Sequence, residues 1–230
     1  MSVKKIIADL LFVYVVFFIS QATVVMADDQ LSGVLDGIFN RYGGLKGMSV
    51  PYKRETVTKS MAMLGKEVKA DIATGKILFM PPHFISIQQT TPGKETITTD
   101  GETLWYYIAA KNTVDEYPAD KVSKEIMLFS KIFSGLSKVG DSFEVVQSDL
   151  DDKKEYHLKL VPNPAWDEVD YINLLVERAD FNVRVVELHN LLGTITRFTL
   201  DELSARKDLK KKDFTYNAPA GAKVNKEGQE

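Results

Sequence analysis

The chain has 230 residues, 44% of them hydrophobic and 27% charged, which suits one globular domain with a sizeable buried core. Its formal charge of −3 argues against nucleic acid and against a general attraction to anionic membranes. With no cysteine it has no disulfide, no thiol nucleophile, no thiolate metal site and no lipidated N-terminal Cys.

The first element is a leader. Lys4 and Lys5 form a basic start, Leu10 to Ile19 is an unbroken apolar run, and Val25-Met26-Ala27 fits a small-x-small cleavage pattern. The expected organisation is a signal peptide over residues 1–27, removed on export to the periplasm, and one domain over residues 28–230. Ser20 and Ala22 offer a second cut, and an uncleaved anchor is the alternative to cleavage. Removing residues 1–27 takes away Lys4, Lys5 and Asp9 and changes the formal charge from −3 to −4.

Leu31, Val34, Leu35, Ile38, Phe39 and Tyr42 recur at helical spacing, and Gly43-Gly44 ends the helix they predict. Six strand-like segments follow, at about 50–63, 67–79, 84–90, 95–99, 103–108 and 113–117. Gly65, Pro81-Pro82, Pro92-Gly93, Asp100-Gly101 and Ala110-Lys111-Asn112 separate them. Breaks this short favour antiparallel hairpins over parallel crossovers. In the segment after Asp100-Gly101, Leu104, Tyr106 and Ile108 alternate with Trp105 and Tyr107, so both faces are apolar. A second helix is expected over 122–136. Val122, Ile126, Phe129 and Phe133 line one side, and Met127, Leu128 and Ile132 widen the apolar surface beyond a single stripe. Strands resume at about 142–147, 155–161, 171–177, 183–188, 194–200 and 213–216.

About 11–12 antiparallel strands cannot stay flat, because strand twist accumulates. The expected fold is mainly β (α+β): one curled antiparallel sheet forming an incomplete barrel, closed by a helical lid.

The residues that could carry chemistry do not converge. His83, His157 and His189 lack metal-ligand spacing, and there is no nucleophile elbow or phosphate-binding Gly-rich loop. Asp149, Asp151 and Asp152 read as a hairpin turn before Lys153-Lys154, since a calcium loop needs a longer ligand ladder. Asp167, Glu168 and Asp170 read as a solvated loop. The basic run Arg206, Lys207, Lys210, Lys211, Lys212 is a solvated hairpin end or a docking patch for an acidic partner. No enzyme, cofactor or metal is expected.

Several segments together resemble the periplasmic lipoprotein carrier family LolA. They are the opening helix, GKILFM followed by P-x-x-F at Pro81 to Phe84, DGETLWYY, and the apolar helix around Ile126 to Phe133. YHLKLVP from Tyr156, the pair VRVVELHNLLGTITRFTL and the close DFTYNAPAGAKV complete the set. The resemblance implies a LolA/LolB-like half-barrel acting as a monomeric periplasmic chaperone. Its partners would be acylated lipoprotein cargo, an inner-membrane ABC exporter and an outer-membrane acceptor lipoprotein. It also implies an acyl-chain cavity, with Leu31, Val34, Leu35 and Ile38 from the first helix. Ile77, Phe79, Phe84, Leu104 and Tyr106 would come from the sheet, and Ile126, Phe129 and Phe133 from the lid. The best-known members carry an Arg just before P-x-x-F that bonds to the lid. Here Met80 or Pro81 stands there, with Arg54 the candidate substitute, so the lid is expected to be held mainly by apolar contacts. Alternatives are an envelope-stress sensor, a lipid shuttle on the same fold, and a small hydrolase.

Overall fold

A computed structural model describes residues 29–64, 70–118, 124–148 and 153–226. The leader and the Asp149–Asp152 turn lie outside these residues. Helix α1 covers residues 29–42. It is followed by β1 (Met48–Val57), α2 (Lys59–Met63), β2 (Asp71–Met80), β3 (Phe84–Thr91), β4 (Glu95–Thr99), β5 (Thr103–Ile108) and β6 (Thr113–Pro118). Helix α3 (Lys124–Phe133) leads to β7 (Phe143–Gln147), β8 (Glu155–Pro162), β9 (Val169–Glu177), β10 (Val183–Asn190) and β11 (Ile195–Leu200). The described chain ends with β12 (Ser204–Ala205), a 3-10 turn (Lys211–Phe214) and β13 (Lys223–Lys226).

All thirteen strands belong to one sheet, in the order β13-β6-β5-β4-β3-β2-β1-β11-β10-β9-β8-β7, with β12 paired to β1. The sheet curls but does not close, since β13 and β7 end it on opposite sides. It consists of two antiparallel meanders, β1–β6 and β7–β11, joined where β1 pairs with β11. That order dictates where α3 goes. β6 and β7 lie far apart, so the chain joining them has to cross a whole face of the sheet, and α3 does so on the concave side. A second crossing carries the chain from central β11 over the convex face to β6. There β13 pairs parallel to β6, with Lys223 opposite Thr113.

Two strand boundaries differ from the sequence reading. The first strand ends at Val57, because the Thr58 hydroxyl accepts a bond from Met61 N at 3.2 Å and caps α2. The segment 213–216 forms a 3-10 turn with extended chain beyond it, and the final strand lies at 223–226, parallel to its neighbour. Alternation over a few residues carries no information about pairing direction.

The concave face holds the main core. Val34, Ile38 and Tyr42 of α1, and Ile126, Leu128, Phe129, Ile132 and Phe133 of α3, pack on Met48, Val50, Ile77, Phe79, Leu158, Leu160, Ile172, Leu174, Val186 and Phe198. Phe39, expected on the buried stripe of α1, is exposed instead. Tyr42 fixes α1 to the sheet: its hydroxyl donates to Asn182 Oδ1 and accepts from Val183 N, both at 2.9 Å. Burial, opposed by the Val183 N–H, pushes the phenol up to about 12 from 10.0. A phenol raised on folding contributes stability below pH 10, and that contribution is lost as pH rises through about 12. Tyr42→Phe is expected to lower stability at neutral pH by about 1–3 kcal/mol, through the bonds it strands at Asn182 and Val183. It should also flatten the alkaline loss between pH 10 and about 12, as urea titrations at several pH values would show.

Candidate functional site

The concave face under α3 gathers most of the residues expected to line a cavity. Val34, Ile38, Ile77, Phe79, Leu104, Ile126, Phe129 and Phe133 all join one buried cluster, and Leu31 and Leu35 pack half-buried at its edge. Strand parity explains the sheet contribution. Ile77 and Phe79 of β2 face inward opposite Ile87 and Ile85 of β3, and Leu104 of β5 lies opposite Thr99 of β4.

Phe84 is a correction. Opposite Met80 at the start of β3, it lies on the convex face, with its ring 5.7 Å from that of Phe214. Phe84, Leu78 and Phe214 form a second, smaller buried cluster that Met80 and Leu209 border. The Pro81-Pro82 turn keeps parity between β2 and β3: the odd positions Phe79 and Ile85 pair on the concave face, so the even pair Met80 and Phe84 falls on the other. Tyr106 does face inward but sits half-buried at a polar rim, where its hydroxyl donates to Glu95 Oε2 at 2.7 Å. Burial first, and that bond second, push its phenol up to about 12. Trp105 and Tyr107, one residue out of step, face outward, and the Tyr107 ring lies 5.6 Å from that of Tyr216.

The residues not anticipated are those of the second meander: Leu158, Leu160, Ile172, Leu174, Val186 and Phe198. Their period-two alternation was present in the sequence. That these strands share the concave face with β1–β6 follows only from the β1–β11 pairing.

The centre of the concavity is aromatic. Phe129 and Phe133 are 0% exposed and stack at 5.8 Å. Phe129 meets Phe198 edge-on at 4.9 Å, while Phe133 lies 5.7 Å from Phe79 and 6.2 Å from Tyr42. Two lid side chains thus occupy the space between α1 and the sheet. At interior packing density a guest can enter only if they leave.

Among the described residues, two of the lid's polar ties are weak. Ser130 Oγ donates to Pro82 O at 3.2 Å, and Lys124 Nζ lies 3.8 Å from the exposed carboxylate of Asp167. An exposed pair of that kind contributes at most about 1 kcal/mol. Arg54 faces the concave side, 3.9 Å from Asp71 Oδ2, with its Nε buried and unpartnered among the described residues. Apolar burial therefore dominates lid closure. The turn that would carry the family's Arg offers a carbonyl acceptor in its place. At the lid's C-terminal end, Gly135 has φ +76°, and a Cβ there would stand 2.8 Å from Phe39 Cα, so only glycine lets α3 turn away against α1.

Burial also locates the opening. Along the concave face, Ile85, Leu104 and Phe198 are buried, whereas the next inward residues, Ile87, Tyr106 and Thr196, are half-buried. All three steps run toward the end of the sheet where β1 stops and β2 begins. Leu188 and Ile172, inward on β10 and β9 at the same end, stay buried, so the mouth lies on the first-meander side of that end.

A family model described as "Outer membrane lipoprotein carrier protein LolA" matches residues 61–217. Compared with curated proteins, the sequence has no match. Among solved structures, an uncharacterized conserved protein from Thermus thermophilus is similar, with a TM-score of 0.53 and 10% identity over 86% of this chain and 99% of that one. A LolA superfamily protein from Nitrosomonas europaea has a TM-score of 0.46 and 12% identity, covering 80% of this chain and 97% of its own. A putative outer membrane lipoprotein-sorting protein domain from Vibrio parahaemolyticus has a TM-score of 0.42 and 9% identity, covering 79% and 94%. A family match across more than half of the sequence, on a curled sheet whose concave face is crossed by an apolar helix, places the chain in the LolA family.

Proposed function

We propose that this protein is a periplasmic carrier that shields the acyl chains of lipoproteins beneath α3, taking them from an inner-membrane exporter and passing them to an outer-membrane acceptor. The observation that carries this reading is the lid itself. Five of its ten residues are buried against the sheet, including two phenylalanines that fill the concavity, and the Ser130 and Lys124 ties that accompany them are weak. Such a helix can exchange its own rings for a guest of similar apolar character, since the area it exposes is offset by the area the guest buries.

The demand for a container follows from transfer energies. Burying a CH₂ is favourable by ~0.8 kcal/mol, so a sixteen-carbon chain in water is disfavoured by on the order of 12 kcal/mol. Free diffusion of an acylated protein between membranes is negligible on that scale. A carrier whose closure depends on apolar packing releases its cargo when a competing apolar site is offered, with no chemical step by the carrier.

The test is to isolate the protein from periplasm under mild conditions and identify what co-purifies by mass spectrometry. An acylated lipoprotein is the expected companion. Free phospholipid would replace the carrier with a lipid shuttle, and an empty interior would favour a sensor on the same fold. The bound state should also show faster amide exchange across 124–133 than the sheet does, since the helix has then left its rings' position.

A further inference from the structure

The four most exposed large apolar side chains among the described residues lie on two loop tips. Met63 and Leu64, at the end of α2, are 74% and 72% exposed; Leu191 and Leu192, in the β10–β11 turn, are 64% and 78% exposed. The tips are neighbours. β1 pairs with β11 up to Val57 opposite Ile195, so α2 leaves the sheet beside the hairpin turn. The aliphatic stem of Lys59 lies against Gly193, 3.3 Å from where a Cβ would stand, and Met63 follows Lys59 by about one helical turn.

Polar bonds shape both tips, and these four side chains stay largely exposed. Leu192 N and Thr194 N donate to Asn190 Oδ1 at 3.0 and 2.7 Å, and Gly193 N donates to Asn190 O at 3.0 Å. Thr58 caps α2. Both tips stand at the mouth end of the half-barrel, where Ile87, Tyr106 and Thr196 are half-buried.

Four aliphatic and thioether side chains on two projections are a poor protein interface. A stable one buries about 800 Å² per partner and relies chiefly on aromatic, Arg or Met anchors, and of these only Met63 occurs among the four. Two projections do suit a bilayer, where apolar tips enter the acyl boundary while a lysine stem lies along them and its ammonium reaches the headgroups. We propose that Met63, Leu64, Leu191 and Leu192 form a shallow bilayer-insertion site that seats the mouth of the half-barrel on a membrane surface. The chain is acidic overall, so the attachment is apolar and nearly independent of salt.

The test needs no cargo, so its result stands apart from that of the carrier reading. The processed protein is co-sedimented with sucrose-loaded vesicles of three parts phosphatidylethanolamine to one part phosphatidylglycerol, at low and high salt. Binding should persist at high salt. Leu191→Ser/Leu192→Ser and Met63→Ser/Leu64→Ser should each lower partitioning roughly ten-fold, about 1.4 kcal/mol, with unchanged thermal melts. Because the chain has no cysteine, Leu192→Cys takes a single environment-sensitive dye. Its emission should shift to the blue on vesicles, while that of Asp201→Cys, beyond the far end of β11, should not. Loss of binding at high salt, equal binding by the serine variants, or equal shifts at both labels would overturn the proposal. So would a dimer that the serine variants abolish, since a second copy would then be the occupant.

Discussion

Phe129→Ala and Phe133→Ala are each expected to lower unfolding free energy by about 3–5 kcal/mol, because each empties a fully buried site that the rigid sheet cannot collapse to fill. The two rings stack, so the double variant should lose less than the sum of the single losses. Binding should move in the opposite direction. If the rings occupy the space that an acyl chain takes, removing them lowers the free energy of opening, and a fluorescent fatty-acid analogue should bind more tightly as stability falls. Urea denaturation and probe titration on the same samples check both signs. Plain core packing would lower stability and leave probe affinity unchanged or weaker, which would remove the central support for the carrier reading.

Phe214→Ala should destabilise to a similar extent, about 3–5 kcal/mol, for a different reason. Phe214 is fully buried on the convex face with Leu78 and Phe84, and it fastens the C-terminal crossing to the sheet. Losing the ring should free the crossing on both sides of the 3-10 turn, from Leu209 through the Tyr216 ring on Tyr107. Increased amide exchange in 209–226, with α3 still protected, is the expected pattern. Probe affinity should stay the same, because this small core lies on the opposite side of the sheet from the lid. If α3 exchanged as fast as the C-terminal crossing, the two faces would be coupled and the separation drawn between them would fail.

The local elements were largely legible. The stripe of Val34, Ile38 and Tyr42, the alternation in Ile77/Phe79 and Ile172/Leu174, and the turns at Pro81-Pro82 and Asp100-Gly101 each reflect a preference that acts within a few residues. The breadth of apolar surface on α3 also signalled a helix with a wide covered face, and five of its ten residues are buried, although Met127 is exposed. What misled was anything needing a second segment. Phe39 lies on the apolar stripe yet is exposed. Phe84 belongs to the family's motif yet packs on the convex side, because Phe214, 130 residues later, is what covers it.

By itself, the sequence determined that this chain forms one strand-rich unit with an unusually apolar second helix, since hydrophobic periodicity and turn chemistry are local and strong. The tertiary structure decided which face each element serves. The β1–β11 pairing puts β6 and β7 far apart, which forces α3 across the concave side and leaves the convex side to the C-terminal crossing. Trp105 and Tyr107 show the distinction: alternation separated them from Leu104 and Tyr106, and only the curl of the sheet and the position of Tyr216 settled that they look outward. Pairing between segments far apart in the chain depends on the free energy of the whole assembled sheet, and no window of a few residues contains that quantity.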